Sequence, residues 1–277
     1  MTGDTLRRLP PELHERARAV ASGGVTPAEP RHAATVVLLR DGTAGVEAYL
    51  LRRLGSMAFA GGMWVFPGGS VDPRDGDADI AWQGPPASEW AAPLSADERL
   101  ARGLVAAAVR ETFEEAGVLL ASPVDVMEKD RWAAEQAALL DRSASMAEVL
   151  ARNGLVLRAD LLRPWAHWVT PEIEPKRFDT RFFVAALPEG QEPVHFRGES
   201  DHSEWVRPVD AVRRHAEGEL GMLPPTVFTL AELSAYDTVA AVLDAATARD
   251  VQRVLPRIVV DGDDVLLLLP GDPGYPE

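Results

Sequence analysis

One long helix with acidic groups crowded at its end is the strongest constraint in this sequence. Ser95-Ala96-Asp97-Glu98 has the form of a capping box, in which a hydroxyl and a carboxylate satisfy the first free N–H groups of a helix. Leu100, Leu104, Ala107 and Ala108 follow at the spacing of one buried stripe. Gly117 stands where a glycine in the left-handed region commonly ends a helix, so the predicted helix runs to about Ala116. Its last turns carry Arg110, Glu111, Glu114 and Glu115, and at about 3.6 residues per turn the three glutamates share one face. Like charges at that spacing repel, and the C-terminal end of a helix is already the negative end of its dipole. A hard divalent cation such as Mg2+, which prefers oxygen ligands, would offset both; the plain alternative is a solvated acidic face.

The residues upstream narrow the choice. Phe66-Pro67-Gly68-Gly69 follows a strand-like apolar run, Met63-Trp64-Val65, and precedes the acidic helix. Strand, Gly-Gly turn and acidic helix occur in that order in the Nudix box, G-x5-E-x7-R-E-U-x-E-E-x-G-U, where U is bulky and apolar. Gly69 fits the first glycine, and Arg110, Glu111, Glu114, Glu115, Gly117 and Val118 fit the second half, with Thr112 at a U position. The chain thus resembles the Nudix hydrolases. Gly69 and Arg110 are 110 − 69 = 41 apart where the plain box has 14, so 41 − 14 = 27 residues are inserted, assigned to about Pro73–Leu94. The first glutamate of the box has no clean counterpart, although Asp72 and Asp75 lie close by. An insertion inside the box is a trait of the branch that includes the peroxisomal coenzyme A diphosphatases of animals. Two further segments are similar to that branch: Trp168-Val169-Thr170-Pro171 followed by 176–183, and Leu223-Pro224-Pro225-Thr226 followed by Thr229-Leu230. The resemblance spans most of 31–270.

Several implications follow from the resemblance. The fold is expected to be α/β, a mixed β-sheet sandwiched between α-helices, with helical and loop insertions. Glu111 and Glu115 would be the leading ligands of Mg2+ or Mn2+, Glu114 a third and the Gly68 carbonyl another, since a glycine turn lets backbone approach an ion. Arg110 would orient the glutamates, which makes Arg110, Glu111, Glu114 and Glu115 the catalytic set. A carboxylate from a distant loop often joins such sites. Glu199 is assigned that role, with Glu172 and Glu174 as rivals for it or for general base. Arg177 and Arg181, with Lys176, are candidates for substrate phosphate; strand alternation puts 177, 179 and 181 on one face, and the alternative is a structural pairing of Asp179 with an arginine. Arg52, with Arg53, could also reach phosphate or be a plain strand-end charge. His167, His195 and His202 show no metal spacing and read as structural, and Trp64, Trp168 and Trp205 read as core rather than as base-stacking platforms.

Composition excludes other chemistries. A net charge of −15 over 277 residues argues against nucleic-acid binding and requires local cations for an anionic substrate. Neither of the two lysines, Lys129 and Lys176, follows a glycine, so there is no P-loop. The absence of cysteine removes thiolate nucleophiles, disulfides and Cys-zinc sites, in keeping with a reducing compartment. No apolar run reaches the length of a membrane span. The N-terminus lacks a signal core, Asp4, Glu12 and Glu15 argue against a transit peptide, and Gly274-Tyr275-Pro276-Glu277 is not a Ser-Lys-Leu type address, so cytoplasm is expected.

Residues 1–30 read as an N-terminal extension with one short helix from about Pro11 to Val20, and 31–277 as a single domain. A hairpin of Ala33–Leu39 and Val46–Arg52 is predicted around Asp41-Gly42. Residues 73–93, with Pro73, Pro85, Pro86 and Pro93, read as a loop. Asp130–Asp141 and Ser145–Arg152 read as helices of a second insertion, about 124–160. Trp165–Thr170, Thr180–Leu187 and Trp205–Pro208 read as strands, Pro224–Ala235 and Asp237–Ala248 as helices. Arg257–Val260 and Val265–Leu269 form a closing hairpin, which could pair across a homodimer.

The function implied is metal-dependent hydrolysis of a diphosphate linkage in a nucleotide-type small molecule. Coenzyme A or acyl-CoA is the leading substrate, giving 3′,5′-ADP and (acyl-)phosphopantetheine. ADP-ribose or a nucleotide sugar is the alternative, and a non-catalytic Nudix-fold binding module is a third reading. No SQPWPFP segment follows the box, so NADH specificity is unsupported.

Overall fold

In the computed structural model, residues 11–57, 60–77, 79–123, 129–194, 200–262 and 264–275 are described. The elements run in chain order as α1 (His14–Ala21), β1 (Arg31–Gly42), β2 (Gly45–Arg53), β3 (Trp64–Val65), β4 (Gly68–Ser70), β5 (Trp82–Gln83), α2 (Ala87–Ala91), α3 (Glu98–Ala116), β6 (Ala121–Ser122), α4 (Lys129–Leu140), α5 (Met146–Arg152), β7 (Val156–Arg158), β8 (Arg163–Val169), β9 (Phe178–Ala186), β10 (Ser200–Val206), α6 (Pro208–Ala216), α7 (Pro224–Leu233), α8 (Val239–Thr247), β11 (Arg253–Val254), β12 (Arg257–Asp261) and β13 (Asp264–Leu268). The chain divides into two compact units: one of 1–32, 167–180 and 252–277, the other of 33–166 and 181–251.

The larger unit is built on a sheet with the order β10-β2-β1-β9-β8, on which β3 pairs with β2 and β4 with β1. Successive residues of a strand point to opposite faces. Ala34, Val36 and Leu38 of β1 and Tyr49 and Leu51 of β2 enter one apolar core with Leu104, Val105, Ala108 and Phe113 of α3. The alternate residues, Val37, Leu39 and Leu50, are equally buried, so both faces of the sheet are covered. Helix α6 packs on β2. The first N–H of α8, at Val239, donates to Asp41 of β1 at 2.8 Å, and Glu232 of α7 accepts from Trp165 Nε1 of β8 at 3.0 Å.

Local chemistry moved several predicted boundaries. The hairpin register pairs Asp41 with Val46 and Gly42 with Gly45, so the turn is Thr43-Ala44 rather than Asp41-Gly42. Gly45 supplies the positive φ of 114° that closes it. Asp97, not Ser95, caps α3, accepting from Leu100 N at 2.7 Å. Ser95 has a φ of 49° and its N–H is bonded to Ala92 O, which ends the preceding turn instead of opening a helix. Gly117 ends α3 as expected, at φ 66°, and Ser145 with Glu148 forms the capping box of α5. The strand expected from Trp205 begins at Ser200, because 200–206 pairs along β2, and Pro208 opens a helix that the sequence reading left out.

The two insertions meet. Residues 73–93, read as loop, hold β5 and α2. Strand β5 runs parallel to β7 of the second insertion, and β6 pairs antiparallel to β7, so the two excursions from the helix share a three-stranded sheet.

The smaller unit packs Ala17 of α1 with Ile173 and Val265, flanked by Leu13, Val20 and Ile258. Its hairpin joins the two predicted strands, pairing Arg257 with Leu268 and running on to Asp261 opposite Asp264. Strand β11 runs parallel to β8, Arg253 opposite His167. Among the described residues, no helix is long and apolar enough to cross a membrane.

Candidate metal-binding and catalytic site

Close approach dictates the two glycines beneath the acidic helix. Strand β4 pairs with β1 at Gly68–Thr35 and Gly69–Ala34. A Cβ on Gly68 would lie 2.5 Å from Thr35 Oγ1 and 2.6 Å from Ala34 O, and one on Gly69 would lie 2.5 Å from the Glu111 carboxylate. A side chain at Gly68 would clash with the main chain of β1, and one at Gly69 would displace the Glu111 carboxylate. Gly68 N–H then donates to Glu115 Oε2 at 2.9 Å, which ties the C-terminal turn of α3 to β4.

Arg110 organises the acids around it. Its Nη1 donates to Glu111 Oε1 at 2.7 Å and Glu114 Oε1 at 3.1 Å, and its Nη2 to Ser70 O at 2.9 Å. The other edge of the guanidinium meets Asp75, Nε to Oδ1 and Nη2 to Oδ2, each at 2.9 Å. Asp75 is 2% exposed and Arg110 9%. Burial works against the Arg110 charge, but its hydrogen bonds to Asp75 and the fields of Glu111, Asp75 and Glu114 outweigh it and hold the proton more firmly than usual. Asp75 corrects the sequence reading, which left the first glutamate of the box without a counterpart. It lies 75 − 69 = 6 residues after Gly69, where the pattern has that glutamate, and counting from Gly69 would have found it. The insertion therefore begins after Asp75 and not at Pro73. Asp72 caps the short turn Pro73–Gly76 that presents Asp75, and the two acids form a capping box.

The three glutamates are an acidic cluster near a helix terminus, partly shielded by one arginine. Burial pushes the Glu111 carboxyl above the ordinary range; Arg110 pulls it back, and Glu114 and Asp75 push it up again. Thr112, at the apolar position of the box, is buried, and its hydroxyl is satisfied on Ala108 O at 2.7 Å. Among the described residues no three His, Asp or Glu side chains stand together as a preformed metal cage; Arg110 and the Gly68 N–H engage the carboxylate oxygens instead. The donor chemistry nonetheless fits a hard divalent cation: carboxylates on one helical face, beside two glycines that form a strand, Gly68–Ser70, rather than the expected turn.

The other predicted residues are distributed elsewhere. Arg52 lies on the face of β2 opposite Tyr49 and Leu51 and pairs with Asp201 at 2.7 Å. Arg181 is buried and donates to Leu94 O at 3.0 Å and Ser95 O at 3.3 Å, just ahead of α3. In the smaller unit, Arg177 donates to Thr170 O at 3.0 Å and Ala28 O at 2.8 Å, and burial lowers its pKa. There too Glu172 pairs with Arg257 at 2.9 Å, Lys176 lies over the Phe178 ring, and Asp179 pairs with His167 at 2.5 Å rather than with an arginine. Trp64 and Trp168 are buried, and Trp205 packs on Tyr49 with Arg40 over its ring. His202 stands edge-on to Trp64. Glu199 and His195 fall outside the described residues.

A mixed α/β fold with an Arg-Glu-Glu-Glu helix end beside a Gly-Gly strand is the arrangement of a diphosphate-cleaving Nudix enzyme. The chain is 30% identical to a Nudix hydrolase from Alicyclobacillus acidocaldarius whose crystal structure covers 78% of this chain and 96% of its own length, with a TM-score of 0.66. This protein belongs to the Nudix hydrolases. Residues 97–233 match the family described as NUDT19 Nudix domain. Among curated relatives, the acyl-coenzyme A diphosphatase NUDT19 of Gallus gallus is 26% identical over 85% of this chain and 74% of its own. That of Homo sapiens is 29% identical over 84% and 73%.

Proposed function

We propose that this protein hydrolyses the diphosphate linkage of coenzyme A or acyl-CoA with Mg2+ or Mn2+. The observation that supports it most is the split Nudix box, closed by the Asp75–Arg110 pair, in a chain that resembles acyl-coenzyme A diphosphatases along most of its length. Glu111, Glu115, Glu114 and the Gly68 carbonyl are assigned to the cation, with Glu199 as an added ligand. When bound, the cation neutralises charge on the diphosphate and acidifies an attacking water. Arg110 holds the carboxylates of Glu111 and Glu114 in place through charged hydrogen bonds. Of the arginines considered for substrate phosphate, we retain Arg52, whose side chain is 44% exposed. Arg177 and Arg181 are given structural roles, because their guanidiniums are engaged by main-chain carbonyls. We take 31–277 as one Nudix domain, since β1, β8 and β9 each run through both units.

A panel assay tests this reading: coenzyme A, acyl-CoA, ADP-ribose, NADH and nucleotide sugars, each with Mg2+ and with Mn2+. Metal-dependent release of 3′,5′-ADP is the expected result. Cleavage of ADP-ribose with none of coenzyme A would overturn the substrate assignment.

A further inference from the structure

We infer that Gln136, in the second insertion, is a positioning residue for the metal-binding end of α3. The inference rests on the metal-site reading above and concerns how that site is held. A helix leaves its last four carbonyls without intrahelical partners. In α3 two of those four carbonyls belong to Glu114 and Glu115, and a third, that of Phe113, also accepts from Gly117 N–H at 2.9 Å. The Gln136 side-chain amide donates from Nε2 to Phe113 O at 2.8 Å and to Glu114 O at 2.6 Å. Gln136 is 2% exposed, so water does not compete for either contact. The Glu114 carbonyl lies in the peptide plane that joins Glu114 to Glu115, and one amide therefore fixes the backbone between two proposed ligands. Its N–H dipoles also point at the negative end of the helix, where three carboxylates already crowd.

Its neighbour Glu135 is also buried and accepts from Arg152 Nε at 2.8 Å and Asn153 Nδ2 at 2.9 Å, within the same insertion. Trp132, one turn earlier on α4, packs edge-on against Phe113 with ring centroids 5.4 Å apart, so the same helix presses on the same turn. The insertion thus holds the end of α3 by its carbonyls, while Asp75, ahead of the first insertion, holds it through Arg110.

The test is Mn2+ binding to the metal-free protein by electron paramagnetic resonance, comparing the unaltered chain with Gln136→Met and with Arg152→Met. Gln136→Met keeps the volume and removes both donors; Arg152→Met loosens the insertion without touching α3. Loss of an outer partner of a metal site typically weakens affinity by about tenfold to a hundredfold. Gln136→Met is expected to raise the Mn2+ Kd by that factor and the metal concentration for half-activation in parallel, with substrate KM at saturating metal unchanged. Arg152→Met is expected to lower Tm and leave the Kd alone. An unchanged Kd in Gln136→Met, or an equal loss in Arg152→Met, overturns the inference while the metal site stands. An unaltered protein that binds no Mn2+ overturns the metal-site reading and the inference with it. Should Gln136→Met not fold, Gln136→Asn, which draws the amide back by one methylene, is read the same way.

Discussion

Arg110 and Asp75 meet through two hydrogen bonds of 2.9 Å across 35 residues of sequence, carboxylate edge to guanidinium edge. This fork closes the box that the insertion opens. Both groups are buried, so taking away one partner leaves the other charge uncompensated, which typically costs about 3–5 kcal/mol. Asp75→Ala is expected to fall at the low end of that range, because Arg110 keeps Glu111 and Glu114. Urea unfolding of the two proteins measures it, and a loss within about 0.5 kcal/mol, the usual effect of a surface change, would rule out the fork as a structural element.

Glu114→Gln and Glu115→Gln are each expected to lower kcat by a factor on the order of 10² or more with the fold kept, since each removes a charge proposed to act on the reaction through the cation. Circular dichroism checks the fold and steady-state kinetics the rate. Near-normal turnover in both variants would move the metal elsewhere.

The acidic cluster links metal to stability. Around Arg110 stand Asp75, Glu111, Glu114 and, on the next residue, Glu115, so carboxylates outnumber the cation. A cation that binds only the folded state raises stability with its concentration, by roughly 2.7 kcal/mol at a hundred times Kd. Tm is therefore expected to rise with Mg2+ or Mn2+. Glu111→Gln combined with Glu114→Gln should raise the metal-free Tm, through relief of repulsion, and abolish the response. A response that survives the double change would place the ion outside this cluster.

Two kinds of signal made parts of this site legible in the sequence. Gly117 and Ser145 are set by local backbone chemistry, and each appears where its neighbours demand it, whereas Gly68 and Gly69 were legible as a motif although the close approach that requires them comes from distant residues. Asp75 was also legible, by counting, and was obscured only because the insertion follows it. What could not be read depends on distant partners. Trp82-Gln83 forms a strand because Val156–Arg158 lies alongside, and Gln136 is an ordinary polar residue of a helix until the carbonyls of Phe113 and Glu114 are set against it. Ser95 carried the right letters for a cap and lost the role to Asp97 through a turn that residues 91–95 impose.

Arg181 discriminates structure from substrate binding. Buried, with its guanidinium on Leu94 O and Ser95 O, it anchors the approach to α3. Arg181→Met strips donors from two carbonyls, each of which costs about 1–3 kcal/mol if left buried and unsatisfied. A lower Tm with unchanged KM is expected. A raised KM at unchanged Tm would return Arg181 to the substrate site.

The last expectation concerns the 3′-phosphate of coenzyme A. A terminal phosphate is a dianion that an exposed guanidinium can read bidentately, and hydrogen bonds to charged groups contribute about 1.5–3 kcal/mol. Dephospho-coenzyme A should then show a lower kcat/KM than coenzyme A. Arg52, now on Asp201 at 2.7 Å, would exchange one anionic partner for another. Arg52→Ala is accordingly expected to shrink the difference between the two substrates and leave the metal response as it was. Equal kcat/KM for both substrates in the unaltered protein would mean that the 3′-phosphate is not read. A difference that persists in Arg52→Ala would assign the reading to another residue.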